Sequence, residues 1–448
     1  MAGTVSWFPE HAAQWATRMR ILHASRNVAN QPGYLVEALR RLGHEAELWQ
    51  YGASPFGFPA DRTIPIDARD PKVFWTTFLE AIDQFDVVHF HFARTLFPNS
   101  WGGVPPLWDL PIYRILGKRV FFTFHGSDCR IREIHERVNP WSYYRYSDIP
   151  ADDDRTRKTI EVIRTYADRM FVTSVDLLEF VPEADVAPRV VDLTEWPKRS
   201  PDTRVVPQIL HVPSRRGTKG TELILAGLDR LRADGVAFDL RLLEGVSHSE
   251  ARAAIQGADI VVDNLLTGDY EVVSIEAMAA SRVAVANIQS GSAEAYPDAP
   301  VVSVDPDTFV DRMRALIADP DDRRRRGSLG RPYVERVHDV PIVAAQLVAA
   351  YKAPAAPVPI RSLPDWFSLA GSRTIEDRDR QIASLEQELG RVRGREDGLR
   401  VRLGMKPLGG VQPLGPTQRA KDALPEPLRI TLRRLRARAA GRGSRNRR

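Results

Sequence analysis

The sequence predicts an α/β protein built from two parallel-sheet domains. Short apolar runs alternate with amphipathic helical patterns on both sides of a proline-rich stretch, residues 182–201, and that alternation builds parallel sheets covered by helices. The opening strand, helix and strand of residues 19–49 make one complete βαβ unit. In the second half, a cationic loop at residues 213–222 (PSRRGTKGTE) sits where a strand hands over to a helix. The carboxyl edge of such a sheet is where ligands bind.

A length of 448 residues suits two or three domains, and 43% hydrophobic with 27% charged residues is ordinary for a globular chain. The single cysteine, Cys129, excludes an internal disulfide framework and a cysteine-rich metal site, and it suits a reducing compartment. No apolar run approaches the ~20 residues of a membrane span, and the first twenty residues lack a signal-peptide core, so the expected location is cytoplasmic. The net charge of +5 is unevenly spread. Nine arginines and no acid fall within residues 429–448, leaving 54 basic against 58 acidic residues elsewhere, a net of −4.

Residues 1–18 carry no periodic signal and read as an extension. After the first strand, Pro32 suits the first turn of a helix whose apolar face is Leu35, Val36, Leu39 and Leu42, and Gly43 ends it. The loop between them (SRNVANQPG, 25–33) lacks the Gly-x-Gly-x-x-Gly pattern. It is either a plain cap and turn or a backbone contact to a ligand through Asn30 and Gly33.

Residues 86–92 (DVVHFHF) read as a strand whose period of two puts His89 and His91 on one face. With Arg94 just beyond, these histidines can contact a substrate, pack as buried polar groups or bind a metal, although no third ligand stands at a metal-like spacing. Strand 118–124 runs into His125, Gly126, Ser127 and Asp128. A histidine there can donate to a sugar hydroxyl or pass a proton, while Asp128 either joins it or caps the next turn. Trp141, Tyr143, Tyr144 and Tyr146 form either a stacking wall or local packing, and residues 152–154 (DDD) suit a helix start.

In the second half, Arg215, Arg216 and Lys219 with Gly217 and Gly220 are the materials of a pyrophosphate cradle beside unpaired helix amides. A solvated basic turn is the alternative. Strand 238–243 delivers Gly245 and Val246, Ser247 with Glu250 makes a capping box, and strand 260–263 leads through residues 264–276 into a helix. Two further strands and a helix at 309–317 follow, then an amphipathic helix at 340–352. Apolar residues Ile382, Leu385, Leu389, Val392, Leu399 and Leu403 then fit a short heptad pattern capable of self-association, weakened by three glycines. The arginine-rich tail places Leu428, Leu432, Leu435 and Ala439 on one helical face, suited to an anionic membrane surface or to no partner at all. Nucleic acid is a poor fit, because no aromatic residues interleave with the arginines.

Over about residues 19–350 the chain resembles the retaining GT-B glycosyltransferases of family 4. The likeness rests on LRRLGHEAEL (39–48), FHGSD (124–128), PSRRGTKGTE (213–222) and IEAMAA (275–280) in that order. It implies two facing Rossmann-like domains: an acceptor domain at 19–195 and a nucleotide-sugar donor domain at 196–352 whose last helix crosses back. A linker at 353–372, a coiled coil at 373–404 and a basic tail at 405–448 follow. It further implies diphosphate contacts from Arg215 or Arg216 and Lys219, with Gly220 in that loop, a ribose contact from Glu276, an active-site role for His125, and Gly245 and Val246 near the base. His89, His91, Arg94 and Asp128 fall on the acceptor side. No metal or other cofactor is required, and the expected acceptor is a glycan or a lipid-linked sugar. The sequence departs from the family's E-x7-E pattern, with Gly268 at the first glutamate and Glu271 where a glycine stands, a charge that would repel a diphosphate if it points inward. A catalytically inactive relative that binds nucleotide or glycan as an assembly protein is the alternative.

Overall fold

The computed structural model describes residues 18–65, 71–97, 107–201 and 204–357. The first sheet takes β1 (Arg20–Ala24), β2 (Glu45–Tyr51), β3 (Arg62–Ile64), β4 (Val87–His91), β5 (Arg119–Phe124), β6 (Arg169–Val172) and β7 (Asp185–Val186) in the order β3-β2-β1-β4-β5-β6-β7. The second takes β8 (Gln208–His211), β9 (Asp239–Leu242), β10 (Ile260–Asn264), β11 (Val283–Ala286) and β12 (Val302–Ser303) in the order β12-β11-β10-β8-β9. Every pairing within them is parallel. Strands β4, β5 and β10 are buried along their whole length, as parallel strands covered on both faces must be. In each sheet the order reverses beside the first strand, between β1 and β4 and between β8 and β10. The crevice at such a reversal is a natural ligand seat.

The helix Gln31–Arg41 starts at Asn30 with Pro32 in its first turn and buries Leu35, Val36 and Leu39. The helix Val340–Lys352, reached only after the second sheet is complete, buries Val340, Val343, Ala344, Leu347 and Tyr351 in one core cluster with Leu35, Leu39, Phe121 and Phe171 of the first. The chain therefore returns to its opening sheet. The aromatic segment packs rather than forming a wall, since Tyr143 and Tyr144 are buried in the second sheet's core beside Ile209 and Ile224. Asp152 caps the helix Asp153–Tyr166 by accepting from the Arg155 amide, and the Ser247–Glu250 capping box is present.

The long helix Pro320–Val337 is absent from the sequence expectation, because Gly327, Gly330 and Pro332 all argue against a helix interior. Tertiary contact overrides propensity there. A Cβ at Gly330 would stand 2.8 Å from the Met278 carbonyl oxygen, and one at Gly327 would stand 2.5 Å from that of Ser281. The glycines let this helix lie against the backbone of the Val272–Ala279 helix and its C-terminal turn. Buried Arg323 satisfies the preceding helix end, donating to the Leu316 and Ile317 carbonyls at 2.7 Å each.

Among the described residues no helix is long and apolar enough to cross a membrane. The extension at 1–17, most of the linker, the heptad segment and the basic tail lie outside the described residues. On an open helix surface Gly330→Ala would add stability by relieving chain entropy. Here the added methyl meets backbone, so the substitution is expected to destabilise by ~1–3 kcal/mol, read as a lower urea midpoint at unchanged slope.

Candidate functional site

A cleft of about 250 Å³ opens between the carboxyl edges of the two sheets. The first sheet contributes Val28, Ala29 and Gln31 after β1, Phe56 and Phe58 after β2, and His125 after β5. From the second come Pro213, Ser214 and Lys219 after β8, Gly245, Val246 and His248 after β9, and Glu271 to Val273 with Glu276 after β10. Arg189, from the segment joining the sheets, completes the wall.

Within the cationic loop, residues Arg216–Lys219 form a single helical turn that the left-handed Gly220 ends. Gly220 is required there, since a Cβ would press within 2.9 Å of Leu266, and it stands behind the cleft rather than in its lining. Lys219 turns inward and is buried, with its ammonium 2.5 Å from Asp263 Oδ1 and also bonded to Glu271. Arg216 turns outward to Glu222 at 2.7 Å and Glu244 at 2.8 Å. Neither Arg215 nor Arg216 lines the cleft. The second cation on the wall is Arg189, which sequence reasoning passed over because it lies in a proline-rich connector with no motif. Its side chain is 6% exposed, one guanidinium nitrogen has no hydrogen-bond partner, and that nitrogen lies 4.0 Å from Glu271 Oε1.

Glu271 points inward, as the sequence reading feared, but it points at cations. Burial alone would raise its pKa, and Lys219, Arg189 and Arg130 outweigh burial and hold the carboxyl well below its ordinary 4.5. Burial likewise disfavours the Lys219 ammonium, and Asp263 and Glu271 overcome it, so its pKa lies above 10.5. Asp263 Oδ2 meanwhile accepts from the Glu271 amide at 2.9 Å and the Ser274 hydroxyl at 2.8 Å, capping the Val272–Ala279 helix. Val272 and Val273, in the first turn of that helix, line the cleft at its positive end.

Glu276 is buried in the cleft wall and pairs with His248 at 2.6 Å. Desolvation would lower the His248 pKa, and the Glu276 hydrogen bond and charge raise it above 6.5. Phe58 of the first half packs on that imidazole, with ring centroids 5.1 Å apart. The only sequence signal for His248 was its place beside the Ser247 cap. Gly245, with φ +65°, and Val246 line the cleft.

On the other side, His125 reaches the cleft while its Nε2 lies 3.1 Å from His91 Nδ1. Asp128 does not cap the next turn, where the Arg132 and Glu133 amides bond to Asp153; its Oδ1 accepts from the His125 amide at 2.9 Å and the Gly126 amide at 2.8 Å. Burial pushes its pKa up to about 6. His89 and His91 are both fully buried and do not line the cleft. Arg94 is exposed and outside the lining.

A scan of protein-family models finds no match, and neither does a search of curated proteins. Solved structures do match. Sucrose-phosphate synthase from Thermosynechococcus elongatus aligns with a TM-score of 0.53 at 15% identity, over 74% of this chain and 98% of that one. HepE from Anabaena, in complex with UDP-glucose, aligns with a TM-score of 0.51 at 12% identity, over 74% and 98%. The likeness is one of fold, the GT-B arrangement of two Rossmann-like domains.

The depressed Glu271 pKa gives stability that is present in full above pH 4.5 and lost as pH falls through the folded-state value. Glu271→Gln is therefore expected to flatten the acid limb of a stability-against-pH curve below pH 4.5, measured by urea denaturation at each pH. An unchanged limb would show that Glu271 is not the group responsible.

Proposed function

We propose that this cleft binds a nucleotide-diphosphate sugar and that the protein is a glycosyltransferase delivering the sugar to a glycan or lipid-linked acceptor with retention of configuration. The observation that carries the reading is the pair of buried cations, Lys219 and Arg189, in a cleft that the first turn of the Val272–Ala279 helix also lines. Cations and oriented amides neutralise a departing diphosphate, so no metal is invoked. Glu276, held by His248, is the acceptor for ribose hydroxyls, and Gly245 and Val246 offer backbone to the base. His125 belongs beside the transferred sugar and the acceptor. HepE, one of the fold neighbours, is described in complex with UDP-glucose, which supports this class of donor. The arginine-rich tail supports an acceptor at an anionic membrane surface.

One observation favours a second reading, a catalytically inactive binding protein: the Lys219 charge is already matched by Asp263 and Glu271. Release of sugar or transfer product that disappears in Glu276→Ala rules that out.

Isothermal titration with UDP, GDP and their sugars tests the donor site, and no binding to any of them would sink the proposal. Arg189→Ala is expected to weaken diphosphate binding by ~1.5–3 kcal/mol, the range for a hydrogen bond to a charged group. Glu271→Gln is expected to tighten it by ~2 kcal/mol, the Coulomb energy of unit charges ~8 Å apart at an effective dielectric constant of ~20.

A further inference from the structure

Beneath His125 the first sheet encloses polar groups that the donor site does not use. His23 on β1 and His89 and His91 on β4 are fully buried, as is Tyr351 on the Val340–Lys352 helix. They form one unbranched chain. His125 Nε2 lies 3.1 Å from His91 Nδ1, and His91 Nε2 lies 2.9 Å from His23 Nδ1. His23 Nε2 lies 3.2 Å from the Tyr351 hydroxyl, which lies 2.5 Å from His89 Nδ1. His89 Nε2 ends the chain on the Thr123 hydroxyl at 2.7 Å. At the cleft end, His125 Nδ1 has no protein partner among the described residues.

Three of these rings carry nitrogens within 4.8 Å of one another, the raw material of a metal site. Their orientation serves hydrogen bonding instead. His23 spends its two nitrogens on different neighbours. The His89 and His91 rings are stacked within 5° of parallel, so their in-plane lone pairs do not converge on one ion.

Burial lowers the pKa of all four imidazoles, those of His23 and His125 to about 3. A neutral imidazole has one donor and one acceptor nitrogen. Each link must then pair a donor with an acceptor, and only two arrangements satisfy every link while also giving the Tyr351 hydroxyl proton an acceptor. In one, all four histidines carry the proton on Nε2 and the chain points toward Thr123. In the other, all four carry it on Nδ1, and His125 presents an N–H to the cleft.

We propose that His91, His23, Tyr351, His89 and Thr123 act as positioning residues, a single hydrogen-bonded relay that makes His125 either a donor or an acceptor toward the cleft ligand. The relay rests on reading His125 as a ligand contact in the proposed donor and acceptor cleft. The two arrangements hold the same six protons, one on each of the four rings and the two hydroxyls, so they differ in hydrogen-bond direction and not in charge. A ligand hydroxyl that donates to His125 Nδ1 sets all four rings to Nε2–H, and a ligand acceptor sets them to Nδ1–H.

Side-chain 1H–15N spectra of the full-length protein labelled with [15N]histidine read the tautomers directly. In the wild type, His23, His89, His91 and His125 are expected to share one neutral tautomer. A mixed set overturns the relay. Tyr351→Phe cuts the chain, and because an orphaned donor is rarer than an under-used acceptor, His89 is expected as Nε2–H and the other three as Nδ1–H. All four still agreeing overturns it. Thr123→Val, milder for folding, removes only the far end and is expected to give Nδ1–H throughout. His125 as Nε2–H in that variant overturns the relay. Zinc retained at one equivalent by the wild type and lost in His23→Gln also overturns it. The tautomers are read without ligand, so a failure to bind UDP or GDP counts against the donor-site reading alone.

Discussion

Asp263 is the point on which the second half of the cleft turns. It stands near the carboxyl end of β10, fully buried, and one oxygen holds Lys219 while the other caps the Val272–Ala279 helix. That single carboxylate fixes the loop after β8 to the loop after β10. Taking an ion pair out of water costs several kcal/mol per ion before the partner offsets it. The geometry is therefore worth keeping only where a charge is wanted at that depth. Replacing Lys219 with an uncharged group strands the buried Asp263 carboxylate, whereas Lys219 keeps Glu271 if Asp263 is replaced.

The same constraint dictates how an anion enters. Lys219, Arg189 and Arg130 stand against Asp263, Glu271 and Asp176, so the local charge of these six groups balances without a ligand. A diphosphate bound as proposed would have to displace one of the acids. Asp263 has no exposed side-chain surface, whereas that of Glu271 is 21% exposed. Glu271 is the carboxylate able to swing away by side-chain rotation alone, since its backbone is held as the helix cap. Glu271, where the chain departs from the pattern of the family it resembles, thus reads as an internal counter-anion to Lys219 and Arg189.

Legibility in the sequence followed the range of the forces. Strands and helices whose pattern is local came through, as did the chain's return to the first sheet through the helix Val340–Lys352. The helix Pro320–Val337 did not, because its glycines answer to the Met278 and Ser281 backbones some fifty residues away. Lys219 was singled out by its place after a strand, and Glu276, Gly245 and Val246 only through the family resemblance; all four line the cleft. Arg215 and Arg216 were misplaced because composition does not reveal which way a one-turn helix aims its side chains. Arg189 and His248 were missed because their meaning comes only from long-range partners, Glu271 and Glu276.

The histidines show the same limit from the other side. Period two correctly grouped His89 and His91 on one face of β4, but a strand in a parallel sheet has no solvent face to offer. What makes two imidazoles tolerable there is the supply of partners from β1, β5 and the Val340–Lys352 helix, none adjacent in sequence. Tyr351 does two jobs at once. Its ring packs edge-on against Phe121 at 4.7 Å, and its hydroxyl joins His23 to His89. An apolar residue would fill the same volume and leave two buried ring nitrogens unpaired, a cost of ~1–3 kcal/mol for each. The returning helix therefore closes a polar chain that starts at the cleft, so the packing of the last helix and the chemistry of His125 are held by one set of bonds.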